Sequence, residues 1–547
     1  MCRLARPVRR VGFCTIAIAA CAQARQGTVA PGGVEQTQQG SRPPATLVMS
    51  FDGLGAGLQG PHGRWEPRNP SDNSLAVGRD YVFQIVNTRM AIFRKNGEIV
   101  YGPVPTNTLF KGFGGACEAH NNGDAVVRYD QLADRWLIVM PVFTRSRERP
   151  DQPPVWKASD RAYISPPGLP DQPGPAAPLF VPPPVPPAPP APPDTVPRAR
   201  PPRPPEEKGP FSMCYAVSTS PDPLGSYYRY EFLRPLFPDY PRPAVWLDGY
   251  YVPTSTGDDV IQKHACVVER AKMLKGEPAR EQCVIIDGVN FLNNADIDGQ
   301  VLPPNGAPNV MMAAGGTQLK NVLEDDGVFV WKFYVDWEKP SKTHADGPVK
   351  IPVAPYHYLC GGQLTNCVPQ RGSERKLDAQ GDKVMQRVVY RNIRGRESIV
   401  AVHSVDTAAG GGGVRWYEFT IDENRGIRLH QQSTYAPDRF YRWMASPAID
   451  RQGNIAIGYS FGGPSSYPGQ RFTGRLVGDP PGAMTFHETV LVEGEAAQNA
   501  MRWEDYTQTA LDPSDDCTIW YVGDYLKKDA ATYSTRIGSF RFPGCSP

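Results

Sequence analysis

Ala448-Ile-Asp450, Arg-Gln-Gly-Asn, Ile455-Ala-Ile-Gly-Tyr459 is the stretch on which the fold of this chain turns. An apolar run, a polar turn opened by an aspartate and a second apolar run read as two antiparallel strands. The arrangement recurs at Ala125-Val-Val-Arg-Tyr-Asp130 before Arg135-Trp-Leu-Ile-Val139, and at Thr509-Ala-Leu-Asp512 before Thr518-Ile-Trp-Tyr521. A further strand repeats as Tyr228-Arg-Tyr-Glu-Phe232, Phe329-Val-Trp-Lys-Phe333, Arg415-Trp-Tyr-Glu-Phe419 and Arg536-Ile-Gly-Ser-Phe540. First strands are expected near Asn73, Ala125, Ala244, Asn309, Val388, Ala445 and Thr507. Such an array of strands closes most simply as a β-propeller, which leaves only short, protected edges. The expectation is an all-β chain, a single propeller of seven blades over residues 45–547, with six or eight blades as alternatives. A tandem of β-sandwiches is the alternative.

Composition agrees with strands and removes other classes. The chain has 547 residues, with 24 Tyr and 10 Trp, which favour strands, and 59 Pro, which argue against a helical protein. Fifty-eight basic against 56 acidic side chains leave a charge of +2, too little for a nucleic-acid surface. Twenty of the prolines lie between Pro166 and Pro205. Residues from about 145 to 210 therefore read as a proline-rich, disordered insertion of polyproline II character between two strands. A docking site for a proline-binding partner is the competing reading.

The N-terminus reads as an export signal. Arg3, Arg6, Arg9 and Arg10 precede the apolar run Val11 to Ala20, which is too short to span a bilayer. Two outcomes stand for its end: lipidation at Cys21, after Ile18-Ala19-Ala20, or cleavage after Ala22-Gln23-Ala24. Residues 25–44, rich in Gly, Gln and Ser, read as a flexible tether. Beyond the signal there remain Cys117, Cys214, Cys266, Cys283, Cys360, Cys367, Cys517 and Cys545, an even number in an exported chain. Spacing suggests Cys266–Cys283 and Cys360–Cys367 as local clips, leaving Cys117–Cys214 and Cys517–Cys545. Zinc is disfavoured because the chain holds no C-x-x-C pair. The protein is expected in the periplasm, on the outer membrane as a lipoprotein, or outside the cell.

Tyr390-Arg-Asn-Ile-Arg-Gly-Arg-Glu-Ser398, Val414-Arg-Trp-Tyr-Glu418, Gln432-Ser-Thr-Tyr-Ala-Pro-Asp438, Arg442-Trp-Met-Ala-Ser446, Arg502-Trp-Glu-Asp-Tyr506 and Asp512-Pro-Ser-Asp-Asp-Cys-Thr-Ile-Trp-Tyr521 resemble segments of one family. It is a family of exported bacterial propellers, grouped with the sialidase-like propellers and without a settled activity. The resemblance runs from about Asn69 to Cys545, apart from the proline-rich insertion. It implies the fold and the exported location, and no reaction.

In a propeller the loop entering the first strand of each blade sits at the mouth of the central channel. Aligned on Asp130, Asp248, Asp450 and Asp512, the units bring Asp124, Arg242, Met444 and Tyr506 to that mouth, with Asp72 equivalent in the first. Slightly upstream lie His120, Asp239, Tyr240, Arg442, Arg502, Glu504 and Asp505. Residues remote in sequence would thus converge as a pocket.

The resemblance to sialidase-like enzymes suggests roles. Tyr506 would be the nucleophile with Glu504 or Glu118 as its partner, and Asp72 or Asp124 the acid, with Asp505 beside them. Arg242, Arg442 and Arg502 would clamp a carboxylate. The competing reading is that these charges satisfy one another and brace the ring. Two function classes follow: an exported scaffold or ligand-binding propeller of the cell envelope, or a glycan-processing enzyme, either a glycoside hydrolase or a polysaccharide lyase. The expected partner is a glycan or cell-surface ligand, with no nucleic acid, no cofactor, no metal, a monomeric state, and membrane contact only through the N-terminal lipid.

Other motifs carry less. Gly458-Tyr-Ser460-Phe-Gly462 fits a nucleophile elbow only if a helix follows, and Gly463-Pro464 follows instead. Asp296-Ile-Asp298-Gly299 resembles the start of a calcium loop without the later ligands and reads as a turn. His403 reads as a core histidine.

Overall fold

The computed structural model describes residues 34–145, 162–163, 210–255, 263–289, 291–316, 323, 325–362 and 366–545. The export signal, Cys21, the first part of the expected tether and nearly all of the proline-rich insertion lie outside them.

The described residues form successive antiparallel meanders. The first contains Ser74–Val77, Tyr81–Val86, Arg89–Arg94 and Ile99–Pro105. The second contains Val126–Asp130, Arg135–Arg145, Phe211–Ser218 and Ser226–Arg234, with the short strand Ala162–Tyr163 on its outer edge. Ala244–Val245, Tyr250–Thr254, Lys263–Val268 and Glu281–Ile286 follow, then Asn293–Ile297, Asn309–Gly315, Gly327–Tyr334 and His344–Ile351. The fifth is Val388–Ile393, Arg396–Asp406, Gly412–Ile421 and Ile427–Tyr435, preceded by the hairpin Asn366–Gln370 and Ser373–Asp378. Tyr441–Ile449, Ile455–Gly463, Ser466–Arg475 and Thr489–Val492 make the next. The last combines Gln508–Leu511, Ile519–Tyr525 and Ser534–Arg541 with Thr46–Asp52 from the other end of the chain.

The first strand of each meander touches the first strand of the next, and Gln508–Leu511 of the last touches Ser74–Val77 of the first. That closed circle of inner strands defines a β-propeller. At one place the circle is knit more tightly. Asn293–Ile297 pairs in parallel with Val388–Ile393, so the fourth and fifth meanders, with Glu35–Gln36 added at one edge, form one continuous nine-stranded sheet.

The recurrent aspartates act where the hairpins turn. Asp450 accepts the amides of Gln452 and Asn454 at 2.9 and 3.0 Å, and Asp130 those of Leu132 and Ala133 at 3.1 and 3.2 Å. Asp512 takes that of Ser514 at 2.9 Å. Each carboxylate caps the turn between first and second strands, as Asx turns do. The apolar faces on either side then pack sheet against sheet. One cluster joins the first and second meanders through Phe83 and Trp136, another the last and first through Val82, Trp520 and Ile537. The core is thus a series of inter-sheet layers around the ring.

All four disulfides form as spacing suggested: Cys117–Cys214, Cys266–Cys283, Cys360–Cys367 and Cys517–Cys545. They fit an oxidising, exported environment. Among the described residues no helix is long and apolar enough to cross a membrane.

Three expectations need correction. The fourth first strand is Asn293–Ile297, and the strand at Asn309 is the second of its meander. Tyr228-Arg-Tyr-Glu-Phe232 lies on the fourth strand of its sheet, whereas its supposed equivalents at Phe329, Arg415 and Arg536 lie on third strands. The tether is docked from residue 34 onward. Glu35–Gln36 pairs in parallel with Thr434 and Tyr435, and Gln36 bonds to the Met484 backbone at both ends of its amide. Arg42 bridges to Phe486 and pairs with Asp479 at 2.6 Å. Its Gln and Arg side chains, which composition alone reads as solvated, find backbone and carboxylate partners on the fifth and sixth meanders.

Candidate functional site

At one end of the circle, the loops entering the first strands carry residues forced into left-handed backbone. Asp72, Tyr240, Gln380, Met444, Glu504 and Asp505 have φ of 47, 51, 49, 48, 56 and 68°. Non-glycine residues in this region are strained, and such strain concentrates at functional sites. Of these, Asp72, Tyr240, Gln380 and Asp505 come from separate meanders and turn toward one another.

Asp505 accepts Gln380 Nε2 at 2.8 Å on one oxygen and the Arg502 guanidinium on the other. The Asp505 carbonyl accepts the Tyr240 hydroxyl at 2.8 Å. Tyr240 stacks on Tyr506 with ring centres 4.3 Å apart, and Arg242 lies 4.5 Å from the Tyr240 ring centre and 5.5 Å from that of Phe291. Lys383 Nζ lies 3.7 Å from the Phe291 centre and donates to Gln380. The Asp72 amide bonds to the Glu504 carbonyl at 2.8 Å, joining the first and last loops, and Asn87 donates to the Asp72 carboxylate. Asp124 and Asp239 are half-buried and hydrogen-bonded to each other.

Like charges brought this close do not all ionise. Burial, followed by the charge of Asp505, pushes Asp72 well above the usual carboxylate range. Burial also raises Asp124, with Asp72, Asp239 and Asp505 adding to it, so Asp124 holds the proton that it shares with Asp239. Asp378, buried and near Asp505, rises to about 7 although Arg502 donates to it at 2.8 Å. Burial, then Asp124, lifts Tyr506 well above the ordinary tyrosine value. Among the described residues, its hydroxyl, one Asp72 oxygen and all three Arg242 guanidinium nitrogens have no hydrogen-bond partner.

The structure therefore brings together Asp72, Asp124, Asp239, Tyr240, Arg242, Arg502, Asp505 and Tyr506, and separates the others. Glu504 points away from Tyr506. It accepts Ser460 Oγ and Gln470 Nε2 at 2.8 Å and the Asp524 amide at 2.6 Å, within the packing between strands. Arg442 is spent on Asp438 at 2.9 Å and Glu488 at 2.6 Å, so the three-arginine clamp does not form. Glu118 caps a local turn through the amides of Gly112 and Gly114. His120 ends the helix Gly115–Ala119 and makes no hydrogen bond or ion pair with the cluster among the described residues. The alignment missed Asp378, Gln380, Asp382, Lys383 and Phe291. Asp382 and Lys383 precede the Val388–Ile393 strand about as closely as His120 precedes its own, whereas Asp378 and Gln380 lie further upstream than the offset of the other units reaches.

Below the mouth the channel is closed by ions. Arg387 donates to Asp296 at 2.7 Å and to Asp298, and Arg128 lies 3.5 Å from Asp296. Asp296-Ile-Asp298-Gly299, read from sequence as a turn, instead begins within the strand Asn293–Ile297, and its carboxylates form this ion-pair plug, which leaves a cavity of about 20 Å³, room for one water. Ser460 of the G-x-S-x-G match sits inside the strand Ile455–Gly463, and His403 stacks on Tyr417 in the core, lowered to about 3 by burial.

A second acid pair gives a pH prediction. Glu504 and Asp524 are both fully buried; burial raises Glu504 far above its ordinary value and Asp524 to about 8. The folded state then binds more protons than the unfolded chain between about pH 4 and 8, so stability falls as pH rises through that window. Thermal melts from pH 5 to 9 are expected to show a declining melting temperature, flattened in Asp524→Asn. A profile rising toward pH 9 would contradict the assignment.

No known protein family matches the chain, and no curated protein does. Among solved structures, it is similar to a polysaccharide lyase of the PL25 family, an ulvan lyase bound to a GlcA–Rha3S saccharide, at 10% identity and TM-score 0.39, covering 89% of this chain and 95% of that one. A protein of unknown function from Dyadobacter fermentans gives 9% and 0.33, covering 91% and 100%. An endo-1,5-α-L-arabinanase from Thermotoga petrophila gives 10% and 0.27, covering 87% and 100%. These likenesses are loose, and the propeller rests on the chain's own strand order.

Proposed function

We propose that this chain is an exported, monomeric, seven-bladed propeller of the sialidase-like kind that binds a glycan at the mouth of its ring. The carrying observation is the convergence of Asp72, Asp124, Asp239, Arg242, Asp505 and Tyr506 from separate meanders, with polar atoms of Asp72, Arg242 and Tyr506 left unpartnered among the described residues. A structural brace would pair its charges, as Arg387 and Arg442 do. Protonated carboxyls beside ionised ones offer both donors and acceptors, which suits the hydroxyls of a sugar. The protein works in the periplasm, on the outer membrane or outside the cell.

A second reading, glycan processing, is favoured by one feature. Asp124 and Asp239 share a proton at the half-exposed edge of the site, so one is poised as an acid and the other as a base. Tyr506 with Glu504 does not supply the nucleophile pair, because Glu504 faces elsewhere. A glycan array followed by turnover assays on each hit separates the readings. The expected result is binding without product, weakened in Asp124→Asn. Product that disappears in Asp124→Asn would replace the first reading by the second, and an array with no hit would overturn both.

A further inference from the structure

The end of the ring opposite the mouth carries a second cavity, of about 560 Å³, within the size of ligand pockets. It is walled by the turns that leave the inner strands of the first three meanders, by the loop after Asn293–Ile297 and by Arg270. Leu132, Leu247 and Leu302 supply apolar surface, and Leu302 and its neighbour Val301 are 49% and 52% exposed. Gln131 lines this cavity and also the small one at the Arg387 ion pairs, which close the channel between this end and the mouth.

The polar atoms of the lining are engaged unequally. Its charged acceptors are taken: Asp134 accepts the Tyr129 hydroxyl at 3.0 Å on one oxygen and Arg79 at 2.6 and 2.9 Å on the other. Arg270 donates to both oxygens of Asp130, at 2.6 and 3.0 Å, and Gln131 Oε1 accepts the Gly299 amide at 3.0 Å. Donors are left over. Arg79 spends only Nε and Nη2, and Gln131 only its oxygen, so Arg79 Nη1 and Gln131 Nε2 have no partner among the described residues.

This balance selects a ligand chemistry. A charged group would gain a counter-ion here only by breaking the Arg79–Asp134 or the Arg270–Asp130 pair. A sugar would set its hydroxyls against three leucines, and a hydrocarbon chain would leave the Gln131 amide without an acceptor. An ordinary peptide brings an N–H at every residue to a lining whose carboxylates are already engaged. Proline removes that N–H and keeps the carbonyl acceptor beside an apolar ring. We infer that this cavity is a peptide site, which takes an uncharged, proline-rich stretch of polypeptide. It is independent of the glycan reading of the mouth.

Val181–Pro193 of this chain has that composition, with Pro, Val and Ala alone, and supplies the probe. The test is fluorescence anisotropy of a labelled synthetic peptide of that sequence. It is titrated with the full chain and with a chain whose own residues 181–193 are replaced by Gly and Ser at equal length. Binding is expected, and Leu302→Asp and Gln131→Glu should each weaken it about tenfold. Leu302 is half exposed, and Glu keeps the oxygen that holds Gly299, so both variants should melt with the parent chain. A Gly-Ser peptide of the same length, with an N–H at every residue, should not bind. Equal binding by the two chains would assign the site to a partner's stretch. Binding by the replaced chain alone would show that the protein fills its own cavity, and both results uphold the site. Binding by neither chain, or binding unchanged in both cavity variants, would overturn the inference.

Discussion

Replacing Cys117 and Cys214 together by alanine is expected to lower the unfolding free energy by about 4–5 kcal/mol. The bond ties the short helix Gly115–Ala119 to the third strand of the second meander across a sequence separation of 97. It thereby closes the loop that contains the proline-rich stretch. Both cysteines are fully buried, beside Met140 and Ala216, so alanine avoids leaving a polar group in the layer. The Cys360–Cys367 bond spans a separation of only 7 and serves as the control. Loop-closure entropy makes its loss smaller by about 2 kcal/mol. Chemical denaturation under oxidising conditions measures both, and equal losses would show that loop length is not the source.

Arg387→Ala is expected to cost about 3–5 kcal/mol, the range for breaking a buried ion pair from one side. Arg387 reaches Asp296, Asp298 and, at 3.3 Å, the Thr509 carbonyl, so it links the fourth, fifth and last meanders across the channel. Asp296 and Asp298 are 4% and 1% exposed; Asp296 would be left with Arg128 at 3.5 Å, and Asp298 with the charge of Arg391. Adding Asp298→Asn should recover part of the loss, because the carboxylate stranded by the first change is gone. A cost under about 1 kcal/mol, that of an exposed pair, would mean that water fills the channel after truncation.

The success and failure of sequence pattern follow from what each strand is made of. Val126–Asp130 and Ile455–Gly463 are apolar runs bounded by an aspartate turn, and their alternation is visible without a structure. Asn293–Ile297 reads Asn-Asn-Ala-Asp-Ile and is nevertheless wholly buried. Its polar side chains reach partners outside the strand, Asn294 Nδ2 donating to Asn309 at 2.6 Å and Asp296 accepting from Arg387, so no local pattern announces it. The alignment that missed this strand still placed Asp72, Asp124, Arg242, Asp505 and Tyr506 at one end of the ring, because the offset from turn aspartate to mouth is a property of the inner strand. It could not say which way a side chain turns. Glu504 and Asp505 are neighbours with left-handed backbone, and one faces the strand packing while the other faces the mouth.

Sequence by itself determined the all-β class, the aspartate-capped hairpins, the four disulfide pairings and the set of loops from which a site would be drawn. These are local: they depend on alternation, turn chemistry and spacing along the chain. Only the tertiary structure decided that Thr46–Asp52 closes the last sheet, that Arg442 braces while Arg242 stays unpaired, and that Asp124 shares its proton with Asp239. Each of these is a pairing between residues far apart in the chain, and burial with proximity, which no local pattern encodes, sets its energy.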